Sequence, residues 1–359
     1  VPMTAAMLAA GANTQLMSYA KNDPVDQYST ERPFAKWLLD NKEVSVFMNG
    51  TFNEKVLIGD SSNYQNYTGD DQVTYNRKDN YRLAPYYHYE AFDGFALNET
   101  ELANNGIIMT DDKEAVATDF EYAQIVNILE GNRATLKSGF QRNHDLELHR
   151  DGTQSSKAVP GLDLLVSTTP TANTTVGGIN QSTSAYWRNN INLSIDSTQY
   201  DAFLAALEKT YRDCLTYGQS GPPDYYCAGS KFIDAYAKAV RNQGGSTFMV
   251  TVPAKGGTPL DGSRSGGITQ SGVFFKGKEI MWDPTMDILQ QLDAPTIAWD
   301  KRMYMLNSKD LKFRPFRGRW MVPRTPPRIY DRHTHYFGIT GDYGLTAKKR
   351  NGMAVVSIA

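Results

Sequence analysis

Cysteine is nearly missing from the chain: only Cys214 and Cys227 occur in 359 residues. Two isolated thiols make neither a disulfide framework nor a paired Cys-x-x-Cys metal site, so both are expected to be ordinary buried side chains. A dominant charge is missing too. With 37 Lys and Arg against 39 Asp and Glu the net charge is −2, which excludes a global basic field for gripping nucleic acid. Apolar runs of 18 residues are absent, so no membrane span is expected. The opening VPMTAAMLAAGANTQLM lacks a basic leader and is interrupted by Gly11, Asn13 and Gln15, so it is not expected to act as a signal peptide. Phosphate-loop, dinucleotide and nucleophile-elbow patterns do not occur. Neither cysteine has a histidine near it in sequence that could activate it as a nucleophile.

Aromatic residues are what the chain has in quantity, with 21 Tyr and 15 Phe. Large amphipathic rings suit surfaces that are exposed in a monomer and covered in an assembly, although they equally favour strands.

The pattern along the chain is mixed, which makes the fold class α+β. Residues 1–30 show no sustained period and read as an arm that orders against a partner. A short helix follows, capped by Ser29 or Thr30, with Pro33 in its first turn and Phe34, Trp37 and Leu38 on one stripe. Two aromatic, β-branched stretches, VSVFMNGTFNEKVLI and YRLAPYYHYEAF, flank the polar turn GDSSNYQNYTGDD. Arms of about 20 residues at roughly 3.3 Å each would make a hairpin up to roughly 65 Å long, which needs something to lie on. Two ordinary strands and a loop within one sheet remain the alternative.

Thr118-Asp119-Phe120-Glu121 is a capping-box sequence. Behind it Phe120, Ile125, Ile128, Leu129, Leu136 and Phe140 predict a helix to about Arg150, spanning about 45 Å. Residues 151–195 read as loop and strand, including LDLLV. Tyr200, Phe203, Leu204, Leu207 and Tyr211 then predict an amphipathic helix, followed by the strand DYYCA and a helix from Ser230. Residues 255–272 are glycine-rich and read as a surface loop. Strands resume at VFFKGKEIMWD, RMYMLN, LKFRPF and GMAVVSI.

Two groups of residues could carry chemistry. Asp331, His333 and His335 would share one face of a strand and could meet a divalent metal, which would make the chain a metal-dependent enzyme. Surface or interface histidines are the preferred reading, with no cofactor. The cluster Lys301, Arg302, Lys309, Lys312, Arg314, Arg317, Arg319, Arg324 and Arg328, interleaved with Tyr304, Phe313, Phe316 and Trp320, could bind nucleic acid. Pairing with the acidic N-terminal half of a neighbouring subunit is preferred.

The order of parts, an arm, an aromatic hairpin, a long helix and an α/β region, resembles the Hong Kong 97-type major capsid proteins of tailed bacteriophages. Three stretches carry the likeness. The first holds Val176-Gly177-Gly178-Ile179, Ser182-Thr183 and Trp187-Arg188-Asn189; the second is PPDYYCAGSKFIDAYAKAV; the third is FKGKEIMWDPTM followed by MYMLNSKDLKFRPFRGRWMVP. The resemblance spans about residues 30–359, with arm and hairpin matching by architecture only. It implies an N-terminal arm over 1–43, an extended loop over 44–97 and a peripheral domain over 98–195, with a spine helix at about 118–150. An axial domain over 196–315 and closing strands over 316–359 complete it.

It further implies a structural protein, not an enzyme, that is made in the bacterial cytoplasm and self-assembles into hexamers and pentamers of an icosahedral head. Scaffolding, portal and decoration proteins, and packaged double-stranded DNA on the inner face, are the expected partners; no membrane is. A tail or decoration protein with a β-rich binding fold is the other alternative. The residues expected at assembly contacts are Met7, Leu16, Met17 and Tyr19 in the arm, Lys55, Asp60, Asn63, Tyr64 and Asp70 in the hairpin, and Arg314, Arg317 and Arg319. Some members form Lys–Asn crosslinks; nothing beside Lys55 supplies a partner asparagine or acid, so none is expected here.

Overall fold

The computed structural model describes residues 30–45, 51–59, 61–104, 119–217, 220–242, 270–293, 297–324 and 333–359. The arm residues Met7, Leu16, Met17 and Tyr19, the tip residue Asp60, the cap Thr118, Asp331, and most of the glycine-rich stretch lie outside these. The chain divides into two compact units. One takes Glu90–His144 and Pro315–Asp342; the other takes Thr30–Tyr89, Asp145–Arg314 and Tyr343–Ala359. Among the described residues no helix is long and apolar enough to cross a membrane.

The second unit is built on a six-stranded sheet. Its strands lie in the order Asn190–Ile195, Ala354–Ile358, Arg302–Leu306, Tyr225–Ala228, Lys278–Trp282 and Gln270–Phe275. Tyr225–Ala228, Arg302–Leu306 and Ala354–Ile358 are buried along their whole length, so they are largely apolar and show no alternation. Helices Tyr200–Thr216 and Ser230–Asn242 bury Phe203, Leu207, Phe232 and Tyr236 against Tyr226, Met303, Met305 and Val356. Full burial of one such side chain is worth about 1.5–3 kcal/mol. A tight turn at Lys276 (φ 48°) and Gly277 (φ 79°) joins the last two strands, as two-residue hairpins require. Both cysteines are buried and unpaired, as expected, and burial pushes the Cys214 thiol up to about 12.

The LDLLV stretch departs from its sequence reading: Leu162–Leu165 is a single helical turn. A Cβ on Gly161 would stand 2.4 Å from the carbonyls of Arg150 and Leu148, so this close approach admits only glycine and sets where the turn starts. Leu162 and Leu165 are fully buried, and burial without alternation does not distinguish a strand from a helical turn.

The first unit holds the long strand Thr334–Ala347 up to Asp342, with Val322–Arg324 paired against it from Val322↔Thr340 to Arg324↔Gly338. Tyr89–Asn98 also pairs with the long strand. The predicted long helix is present as Asp119–His149, its residues through His144 in this unit and the remainder in the other. Leu129, Leu136 and Phe140 are buried, and Phe140 packs edge-on against Trp320 at 6.1 Å.

Candidate assembly interface

The hairpin belongs to the second unit and is real. Thr51–Leu57 pairs antiparallel with Tyr81–Tyr87, from Thr51↔Tyr87 to Leu57↔Tyr81. Alternation gives the ribbon two unlike faces. Phe52, Val56, Ala84 and Tyr86 are buried, whereas Leu57, Tyr81, Leu83 and Tyr87 are each about 60% exposed. Lys55 lies over the Tyr81 ring at 4.3 Å, so its charge sits among exposed apolar groups.

Beyond Leu57 the backbone ladder stops and scattered bonds join the two arms. Ile58 N donates to Asn80 O at 3.0 Å, and Ser61 Oγ donates to Asn80 Oδ1 at 2.5 Å. Asn63 Nδ2 donates to Thr74 O, and Gln65 Nε2 donates to Thr74 Oγ1. At the tip Thr68 and Asp71 exchange bonds around Gly69: Asp71 N to Thr68 O at 2.8 Å, Thr68 N to Asp71 Oδ2 at 2.9 Å. Bonds between the two arms thus recur from Thr51↔Tyr87 to the turn at Thr68 and Asp71. Tyr64 and Tyr75 are 85% and 91% exposed at this end, and Asp70 is exposed with them.

The base of the ribbon is locked in place by the segment that carried the family likeness. Gly177 and Gly178 both take positive φ, and a Cβ on Gly177 would lie 2.9 Å from the Tyr86 hydroxyl and 3.1 Å from Ala84 Cβ. Tyr86 Oη donates to Ala347 O at 2.9 Å. Trp187 Nε1 donates to Val176 O at 2.9 Å, and Arg188 Nε to Gln181 O at 2.7 Å, closing the segment on itself.

Inside it lies Arg350, a fully buried guanidinium that sequence reading passed over. It donates to the carbonyls of Leu164, Leu165 and Trp187 and to the side-chain oxygens of Gln181 and Asn189. Burial lowers its pKa to about 10. A planar five-donor fork is what such a set of neutral acceptors needs, and no other side chain supplies one.

Two of the three predicted arginines, Arg314 and Arg319, find partners inside the chain. Arg314 pairs with Glu54 and, at 3.3 Å, with Glu43, and its Nε donates to Thr346 Oγ1 at 3.0 Å. These carboxylates do lie in the N-terminal part, as the sequence reading required, but of the same molecule. With its side chain 12% exposed, Arg314 offers a neighbour little. Arg302 likewise meets Asp163 at 2.9 Å. In the first unit Arg319 Nε meets Asp342 at 2.7 Å, and Arg317 is exposed.

His333 and His335 share a face, as strand geometry demands. Both turn to one carboxylate, Glu99: His333 Nδ1 stands 3.2 Å from Oε2 and His335 Nε2 3.5 Å from Oε1. Among the described residues no group of three His, Cys, Asp or Glu is placed to hold a metal ion.

A second histidine centre had no sequence signal. In the larger unit His149 is fully buried, with Nε2 3.0 Å from Asp283 Oδ2 and Nδ1 2.8 Å from the Asp145 carbonyl. Thr285 Oγ1 donates to Asp145 Oδ2, and Phe34 packs edge-on at 4.7 Å. Burial alone would lower the imidazole pKa; the carboxylates of Asp283 and Asp145 outweigh it and raise it to about 9. This is a structural hub whose ionisable groups, His149, Asp145 and Asp283, are all buried.

No protein-family model matches the sequence. No curated protein matches it either. Solved structures do. A chain of the cyanophage A-1(L) capsid asymmetric unit aligns with TM-score 0.54 at 15% identity, over 94% of this chain and 95% of that one. A chain of the capsid of Myoviridae phage XM1 gives 0.51 at 10% identity, over 95% and 96%. One from Mycobacterium phage Bobi gives 0.51 at 11%, over 96% of both. The chain has the fold of these phage capsid subunits.

Proposed function

We propose that this chain is the major capsid protein of a tailed bacteriophage, a structural subunit of the Hong Kong 97 type that assembles into hexamers and pentamers of a closed head. The observation that carries this is the fold, shared end to end with phage capsid chains across 94–96% of both lengths. The hairpin supports it. A ribbon whose outer half has no backbone ladder and is stitched largely by side chains, with Tyr64 and Tyr75 in water, fits burial against a neighbour better than life in solution.

In this reading the mechanism is distributed burial. Each interface contributes modestly, and a closed shell multiplies contacts through effective concentration. The arm over 1–43, the extended loop over 44–97, the peripheral domain over 98–195 with its spine helix, the axial domain over 196–315 and the closing strands over 316–359 take the roles that the resemblance implies. Lys55, Asn63, Tyr64 and Asp70 are the described hairpin residues proposed at the contact, and Arg317 and Arg319 are exposed enough to join it. Met7, Leu16, Met17, Tyr19 and Asp60 are proposed on sequence alone. Scaffolding, portal and decoration proteins, and DNA along the inner face, are the proposed partners, in a virion made in the bacterial cytoplasm. The subunit has no catalytic task and no cofactor in this reading.

Negative-stain electron microscopy of the protein expressed with a scaffolding protein tests it. Shells, or hexameric and pentameric rings, are the expected particles. Uniform monomers or dimers under those conditions would overturn the reading.

A further inference from the structure

The hairpin base forms one wall of an open cleft of about 1060 Å³, lying wholly within the second unit. Lys55 and Tyr81 line it from the ribbon, Tyr186 and Tyr217 from the opposite side, and Lys309 and Lys349 from two loops. Tyr186 and Tyr217 meet edge to face at 5.8 Å and are 48% and 45% exposed, so the aromatic wall is preformed and open to an incoming group. The one carboxylate in the lining, Asp310, is buried and accepts Ser220 Oγ at 2.6 Å. Lys348 at the rim faces Glu43 at 3.4 Å. Lys55, Lys309 and Lys349 thus give the cleft an excess of positive charge between tyrosine rings.

The chemistry this admits is an acidic segment carrying aromatic residues. The same unit presents one: the hairpin tip, where Asp70 and Asp71 flank Gly69 beside Tyr64 and Tyr67, the latter 68% exposed. Every residue from Asn66 to Asp79 is exposed among the described residues. Among the described residues the cleft's own lining holds nothing between Gly59 and Tyr81, so the tip is not seated in it. Gly69 stands twelve residues beyond both Leu57 and Tyr81, a reach of up to about 40 Å for extended chain. Resting on the shell reading above, we propose that the basic, tyrosine-lined cleft is the receptor for the acidic hairpin tip of a second copy of this chain. Such a contact is head-to-tail, with one surface donating and a different one receiving. Contacts of that kind generate rings when the rotation closes.

The test is carbodiimide coupling of assembled protein made from equal parts of ¹⁴N- and ¹⁵N-labelled full-length chains. The reagent joins a carboxylate to an amine only where they are in contact, and mixed-isotope peptides identify links between molecules. Links from Asp70 or Asp71 to Lys55, Lys309 or Lys349 are expected. Intermolecular links elsewhere with none at these pairs would overturn the proposal and leave shells, if seen, untouched. Tip-to-cleft links in small closed rings that never form shells would uphold the proposal and overturn the shell reading. Coupling of the cleft lysines to nucleic acid phosphates in place of the tip would also overturn it.

Charge reversal supplies a second measurement. Lys309→Glu with Lys349→Glu, or Asp70→Lys with Asp71→Lys, should each lower the yield of assembled particles on the order of tenfold, and combining them should restore it. Full yield in both separate variants would overturn the proposal.

Discussion

The inner and outer halves of the hairpin are one ribbon held in two different ways. Residues 51–57 and 81–87 have a full backbone ladder, one buried face, and a seat on Gly177 and Gly178 secured through Tyr86. Residues 61–80 have no ladder. They are joined by Asn63, Gln65, Thr68, Asp71 and Thr74, and almost nothing there is buried. The difference teaches where stability and function separate. Burial and satisfied backbone groups fix the base; the tip keeps its polar and aromatic groups available.

Damage to the seat should therefore show in folding, and damage to the tip in assembly alone. The largest effect is expected from Arg350→Met, which leaves three buried carbonyls and two amide oxygens without their donor. Orphaned acceptors cost about 1–3 kcal/mol each, so chemical denaturation should report a loss of about 3 kcal/mol or more. Gly177→Ala comes next, at about 2 kcal/mol, from the left-handed backbone (φ 55°) and the contact with Tyr86. An unchanged unfolding midpoint in this variant would mean that the seat does not hold the ribbon.

The buried His149 gives the larger unit a pH limb. Its pKa is raised on folding, so the stability it contributes is complete below about 6.5 and is lost as pH rises through about 9. Thermal midpoints should fall across that window, and His149→Gln should flatten the fall. The smallest effect belongs to the tip: Tyr64→Ser with Tyr75→Ser should move the unfolding free energy by no more than about 0.5 kcal/mol. The same pair should cut the yield of rings or shells, which electron microscopy counts. If it destabilises the free chain instead, the two halves are not separate.

Elements whose periodicity is local were legible in the sequence. The long helix was expected over about 118–150 and is found at Asp119–His149, and the strands at Tyr225–Ala228 and Ala354–Ile358 fall where apolar runs placed them. The hairpin was legible from two aromatic stretches and a polar turn. What escaped is carried by distant partners. Arg350 follows two lysines and looks like a solvated charge run, yet its acceptors lie 161 to 186 residues away. His149 sits four positions after Asp145 on a helix, but Asp283, 134 residues on, decides its charge. Arg314 was expected to meet carboxylates of the N-terminal half in a neighbour, and carboxylates of that half, Glu43 and Glu54, meet it within the chain; a single sequence does not say whether two segments meet within a chain or between chains.

The strand order of the central sheet has a consequence for how the molecule comes into being. Ala354–Ile358 lies between Asn190–Ile195 and Arg302–Leu306, so neither neighbour has its full set of partners until residues after 350 have left the ribosome. During that interval two strand edges stand open. Such edges are templates for pairing with the wrong chain. The strand Ala354–Ile358 therefore closes both edges only after the rest of the central sheet has been made.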